Sequence, residues 1–167
     1  MSKFFVKKDD ISGENICISN EDVNHITKVL RLSEKNSIII CDGQGMDYEA
    51  EIVQIEKKRV LCKILKAVPS ETEPEIQVTI YQGIPKAAKM EYIIQKAVEL
   101  GVHKIVPVTT KYTVVKLEEK KTVESKLQRW NKIAAEASKQ CGRGKIPSVE
   151  FPISFDAALK QLQEEDL

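Results

Sequence analysis

Two stretches of this chain place charged side chains where they could hold an anion or share a proton. In the first, Lys89, Lys96 and Glu99 lie off the apolar stripe of a helix predicted from Pro85 to Leu100, with Glu99 in its last turn before Gly101. An amine and a carboxylate at i,i+3 either make a plain solubilising pair or stand ready to serve a reacting group. In the second, Gln140, Arg143 and Lys145 flank two glycines in Q-C-G-R-G-K. Such a loop permits close approach to a phosphate backbone. Its cations equally suit the negative end of a helix dipole. Both readings stand for each stretch. Lys28 and Arg31, with Lys7 and Lys8, read either as a further cationic patch or as a solvated face.

Several familiar chemistries are excluded. There is no G-x-G-x-x-G, no phosphate-binding P-loop and no nucleophile elbow. His25 and His103 have no acid at helical spacing, which argues against a histidine dyad; His25 is expected on a barrel surface and His103 in a loop. Cys17, Cys41, Cys62 and Cys141 form no C-x-x-C pair, so no metal site is expected. They read as reduced thiols, three of them in apolar strand-like runs, which fits the cytoplasm. No apolar run approaches a membrane span, and Met1-Ser2-Lys3-Phe4-Phe5 lacks the long apolar stretch of a signal peptide.

Charge is unevenly spread. The net charge is +1, yet residues 104–145 hold 11 Lys and Arg against 4 Asp and Glu, whereas residues 146–167 hold 1 against 5. The basic block reads as a solvated helix face or as a nucleic-acid footprint.

The elements that must position these residues fall into two groups. Phe4–Val6, Ile16–Ile18, Ser37–Asp42, Tyr48–Ile55 and Val60–Leu65 read as short strands. A helix with Val23, Ile26, Val29 and Leu30 on one face interrupts them, and Ser19 with Asp22 resembles a capping box. Five strands and one helix in about 70 residues suggest a small barrel. Val68-Pro69-Ser70-Glu71-Thr72-Glu73-Pro74-Glu75 reads as a linker with nothing to bury. Beyond it, strands at Ile76–Tyr81, Lys104–Val108 and Val149–Ile153 alternate with helices. The first helix carries Met90, Ile93, Ile94, Ala97 and Val98, and the second Val123, Leu127, Trp130, Ala134 and Ala137. A third has Phe155, Ala158, Leu159 and Leu162, with Ser154 as its cap. That alternation implies a thin, largely parallel α/β sheet with ligands at the strands' carboxyl ends.

In order along the chain, H-I-T-K-V-L-R-L (25–32), C-D-G-Q-G-M-D-Y-E-A (41–50), K-M-E-Y-I-I-Q-K-A-V-E-L-G-V (89–102), I-V-P-V-T-T (105–110) and R-W-N-K-I-A-A-E-A-S-K-Q-C-G-R-G-K-I-P (129–147) resemble the RsmE family, methyltransferases of small-subunit ribosomal RNA. The resemblance implies a mixed β and α/β fold. Residues 1–70 would be a PUA-like RNA-binding barrel, 71–75 a linker, and 76–167 the first part of a SPOUT methyltransferase domain. It implies S-adenosylmethionine as methyl donor, N3 of a uridine in 16S rRNA as acceptor, the small ribosomal subunit as partner, and a homodimer.

Carried over residue by residue, the resemblance implies Lys96, Glu99, Thr110 and Arg143 as catalytic, and Lys28, Arg31, Lys86, Lys111, Tyr112 and Gln140 as RNA contacts. Lys111 stands where relatives usually carry an arginine, which keeps the charge but loses the bidentate fork. The family's donor-binding segments, G-P-E-G-G and L-G-x-R-I-L-R, are expected after Leu167. Residues 1–167 are therefore expected to form an incomplete SPOUT domain lacking its C-terminal knot, and to be inactive by themselves. The rival expectation is a non-catalytic RNA-binding module built on the barrel and the basic block.

Overall fold

The structure is a computed structural model that describes residues 3–19, 21–86, 89–111, 113 and 120–164. The chain divides into two compact units, one of residues 1–73 with 142–145, the other of residues 74–141 with 146–167.

The first unit is a six-stranded sheet in the order β1-β4-β5-β6-β3-β2. Its strands are β1 (Lys3–Phe5), β2 (Ile11–Ser12), β3 (Asn15–Ser19), β4 (Ser37–Cys41), β5 (Met46–Ile55) and β6 (Arg59–Pro69). Only β1 and β4 run parallel. Among the described residues no pairing closes the ladder between β1 and β2. Alternation along β3 and β4 sends Ile16, Ile18, Ile38 and Ile40 inward, where they meet Phe4, Ile52 and Val60. β-branched residues fit this pleated, one-sided surface, and each buried isoleucine contributes roughly 1.5–3 kcal/mol. The helix α1 (Glu21–Asn24) covers part of this core through Val23 and continues as a wide π-helical turn (His25–Val29) that adds Ile26. Ser19, expected as the cap, is instead the last residue of β3, paired with Arg59.

In the second unit β7 (Thr79–Gly83), β8 (Lys104–Thr109), β9 (Ser148–Val149) and β10 (Ile153–Ser154) form a parallel sheet with β8 in the middle. Ile105, Val106, Pro107 and Val108 are all buried, the continuous apolar run of a strand covered on both faces. On one side α2 (Lys89–Glu99) and α3 (Lys120–Cys141) pack together through Met90, Ile94, Val98, Trp130, Ala134 and Ala137. The helix α4 (Phe155–Glu164) lies against β8 and β10, and Ser154 Oγ accepts the Ala157 N–H at 3.2 Å, the cap its sequence suggests.

Three expectations need correction. The strand expected at Ile76–Tyr81 forms over Thr79–Gly83, and Ile76 is 76% exposed. The helix expected from Pro85 begins, among the described residues, at Lys89, so Pro85 and Lys86 precede it. The strand expected at Val149–Ile153 is broken in two. Glu150 N–H donates to Ile105 O at 2.9 Å, so Ile105 faces the third strand. Alternate residues of a strand share a side, and Pro107 therefore faces it too, with no N–H to donate. The gap between β9 and β10 falls opposite that proline.

Candidate active site

The carboxyl ends of β8 and β10 open into a cleft of about 550 Å³, lined by Thr109, Thr110, Lys111, Ser154, Phe155 and Asp156. This is where an open parallel sheet presents its ligands. The cleft's rim is held by its own hydroxyls. Thr109 Oγ1 donates to Ile153 O at 3.1 Å, tying the two strand ends together. Thr110 N–H donates to Thr113 Oγ1 at 2.8 Å and Thr113 N–H returns to Thr110 O at 2.9 Å, which folds the chain into a tight turn. Asp156 occupies the first turn of α4, where a carboxylate complements the helix dipole. The ring of Phe155 is half exposed beside it. The lining thus offers hydroxyls, one cation, one carboxylate and an aromatic face.

Of the expected site residues, Thr110 and Lys111 line this cleft together. Tyr112 lies outside the described residues. Lys96 and Glu99 pair with each other at 2.6 Å on α2, and the Lys96 ammonium sits 5.8 Å from the Tyr92 ring centre. The hydrogen bond that Lys96 donates to Glu99 holds the Lys96 amine above its ordinary pKa, so at neutral pH it is a cation and not a base. Lys86 is exposed ahead of α2. Gln140 lines a separate groove between α2 and α3.

Arg143 belongs to the first unit and is 5% exposed. Its guanidinium donates to Glu73 at 2.7 Å, and the same carboxylate accepts the N–H groups of Gly144 and Lys145, both at 2.9 Å. Burial by itself would raise the Glu73 carboxyl, but Arg143 and the two N–H groups outweigh it and hold its pKa below the usual carboxylate value. The Gly142–Lys145 strap makes further bonds in this unit. Gly45 N–H and the Cys41 thiol donate to Gly144 O, and the Lys3 ammonium and Thr72 hydroxyl donate to Gly142 O. The stretch read as a linker with nothing to bury therefore includes a half-buried carboxylate with three donors.

Lys28 is exposed on the π-helical turn, and Arg31 follows that turn with φ 52°, so the two do not share one regular helical face. Asp156 escaped the sequence reading and Phe155 was expected only on an apolar helix face, although S-F-D at a strand-to-helix junction marks a strand's carboxyl end followed by a capped, acid-bearing first turn. No group of three or more metal-ligating side chains occurs among the described residues. All four cysteines are free thiols.

A mostly antiparallel sheet followed by an open parallel α/β unit, with its cleft at the strand ends, defines a two-unit protein of mixed β and α/β class. Comparison with known proteins places it more closely. Residues 72–167 match the family model for the RNA methyltransferase domain, and residues 18–65 that for the RNA methyltransferase PUA domain. The chain belongs to the RNA methyltransferase domain family, as its resemblance to RsmE proteins implies. It is 36% identical over 169 residues to ribosomal RNA small subunit methyltransferase E of Bacillus subtilis, covering 99% of this chain and 66% of that relative. It is 34% identical to the protein of the same name from Mesomycoplasma hyopneumoniae, over 96% of this chain and 66% of the relative. Among solved structures, ribosomal RNA small subunit methyltransferase E from Neisseria gonorrhoeae bound to S-adenosyl methionine aligns with a TM-score of 0.82 and 30% identity, over 95% of this chain and 64% of that one. The chain thus spans about two thirds of the length of these relatives.

Proposed function

We propose that the protein is a ribosomal RNA methyltransferase that transfers a methyl group from S-adenosylmethionine to N3 of a uridine in 16S rRNA, in the cytoplasm. The observation that carries this reading is the cleft at the carboxyl ends of β8 and β10, in a unit that matches the RNA methyltransferase domain. The names of its relatives and the donor bound to the Neisseria protein support the same reading.

The cleft's volume of about 550 Å³ lies within the range of small-molecule sites. Its residues suit part of a nucleoside: the Asp156 carboxylate and the Thr110 and Ser154 hydroxyls for sugar hydroxyls, and the Phe155 ring for a flat base. The donor supplies an electrophilic methyl group on a sulfonium. Uridine N3 carries a proton that passes to solvent water as N3 bonds the methyl carbon and the carbon–sulfur bond breaks to leave a neutral thioether. Lys111 at the cleft is placed to offset the negative charge that appears on the uracil ring when that proton goes. Lys96 and Glu99, paired on α2, then act on the RNA as a unit rather than as separate acid and base. Arg143 acts indirectly, by holding its strap.

Mapping 3-methyluridine in 16S rRNA after incubation with protein and donor tests the reading; RNA left unmodified by the whole protein would sink it. A non-catalytic RNA-binding module is the second reading, favoured by the cations of α3. It predicts salt-sensitive RNA affinity and no methyl transfer by the whole protein.

A further inference from the structure

We infer that the groove between α2 and α3 receives an unstacked nucleobase of single-stranded RNA. This rests on the reading that the protein acts on RNA. The groove, of about 350 Å³, is separate from the cleft at the strand ends and shares no lining residue with it. That volume is at the small end of ligand sites, the size for one flat ring system and not for a helix or a duplex.

The lining has the chemistry of base recognition. Ile133 and Ala137 supply an apolar floor for a ring face. Gln95 and Gln140 stand along it, and each amide offers both a donor and an acceptor. Glu136, exposed on α3, adds an acceptor-only group, which suits a base carrying an exocyclic amine. Arg129 is held by Glu91 through two bonds of 2.9 Å, so its planar guanidinium is fixed as a stacking surface.

The carboxylates also say what the groove is not. Glu91 and Glu136 offset Arg129 and Lys132 in the lining, so the groove has no net positive charge to hold a phosphate, and the RNA backbone runs outside it. Lys121 and Lys132 are exposed on the same helix to meet that backbone. The wider block of 11 Lys and Arg against 4 Asp and Glu over residues 104–145 makes a polyanion the fitting partner.

The test is fluorescence anisotropy of the full chain with labelled single-stranded RNA over a range of salt. Replacing both amides (Gln95→Ala with Gln140→Ala) should weaken binding about tenfold, the worth of one recognised base, and leave the salt slope unchanged. Lys132→Ala should instead lower the salt slope by about 1 across all sequences. Glu136→Ala should erase any preference for RNA rich in amino-bearing bases over poly-uridine. Circular dichroism melts confirm that each variant folds. Unchanged affinity in the double amide variant overturns the inference, and so does a loss that tracks only the salt slope. A shift from dimer to monomer in that variant, seen by sedimentation, would assign the groove to a second copy instead. A parent chain with no RNA affinity at all overturns the functional reading itself, which separates the two failures.

Discussion

Glu73 accepts from three donors at once, and its partner Arg143 is buried, so the pair cannot be broken from one side without leaving a stranded charge. Glu73→Ala is expected to destabilise the protein by about 3 kcal/mol in urea unfolding, with part of the loss recovered in the double variant with Arg143→Ala. The pH dependence follows from the direction of the shift. A carboxyl whose folded pKa is depressed contributes its full stability above the unfolded value, and loses it as pH falls through the folded value. Unfolding midpoints of the parent should therefore drop on acidification more steeply than those of Glu73→Gln. The thiols give a second measurement at this scale. Burial pushes Cys41 and Cys62 up to about 12, whereas Cys141 is exposed on the last turn of α3. A thiol reagent at pH 8 should label Cys141 within minutes and reach Cys41 and Cys62 only after denaturation. Fast labelling of Cys41 in the native protein would mean that the Gly142–Lys145 strap opens readily.

At the scale of elements, the strap depends on a close approach. A Cβ added at Gly144 would overlap the side chain of Ser70. Gly144→Ala should therefore displace the strap and lower the melting temperature by several degrees, as a loss of about 1–3 kcal/mol would. Gly13→Ala is the contrasting variant, since a Cβ there meets nothing within 4 Å; its φ of 57° leaves only the milder cost of a left-handed backbone. The helices were the most legible part of the sequence. Met90, Ile94, Ala97 and Val98 recur at helical spacing and are buried, because a period of 3.6 turns directly into one packed face. Gly101, with φ 96°, ends that helix as its position suggests. Strand limits were less legible. Ile76-Gln77-Val78 alternates like a strand but precedes β7, and among the described residues only Val78 of the three reaches a neighbour, its carbonyl accepting the His103 N–H at 2.8 Å; alternation records a possible face and not a strand's limits. The break opposite Pro107 needed the register of three strands before the proline explained it. Thr110 was named only through the family resemblance, and no local pattern joins Glu73 to Arg143, which are 70 residues apart.

For the whole molecule, a net charge of +1 conceals a basic block of residues 104–145 and an acidic one after it. RNA affinity is therefore expected to follow location of charge and not its total. Reversing Lys121 and Lys132 to glutamate should cost at least about tenfold in RNA affinity at low salt, while reversing Lys57 and Lys58, in the turn between β5 and β6, should cost far less. Equal losses from the two pairs would mean that the basic block is a solvated surface. The membership of Gly142–Lys145 in the first unit has a further result for how the protein is made. A ribosome delivers the chain from its amino end, and residues 1–73 emerge with the Glu73 carboxylate and the Gly45 amide awaiting partners not yet synthesised. The amino-terminal unit is first to be translated, yet it is completed only after α3 has been made. A nascent chain stalled before residue 142 thus carries an amino-terminal unit still short of its own last piece, and a ready client for chaperones.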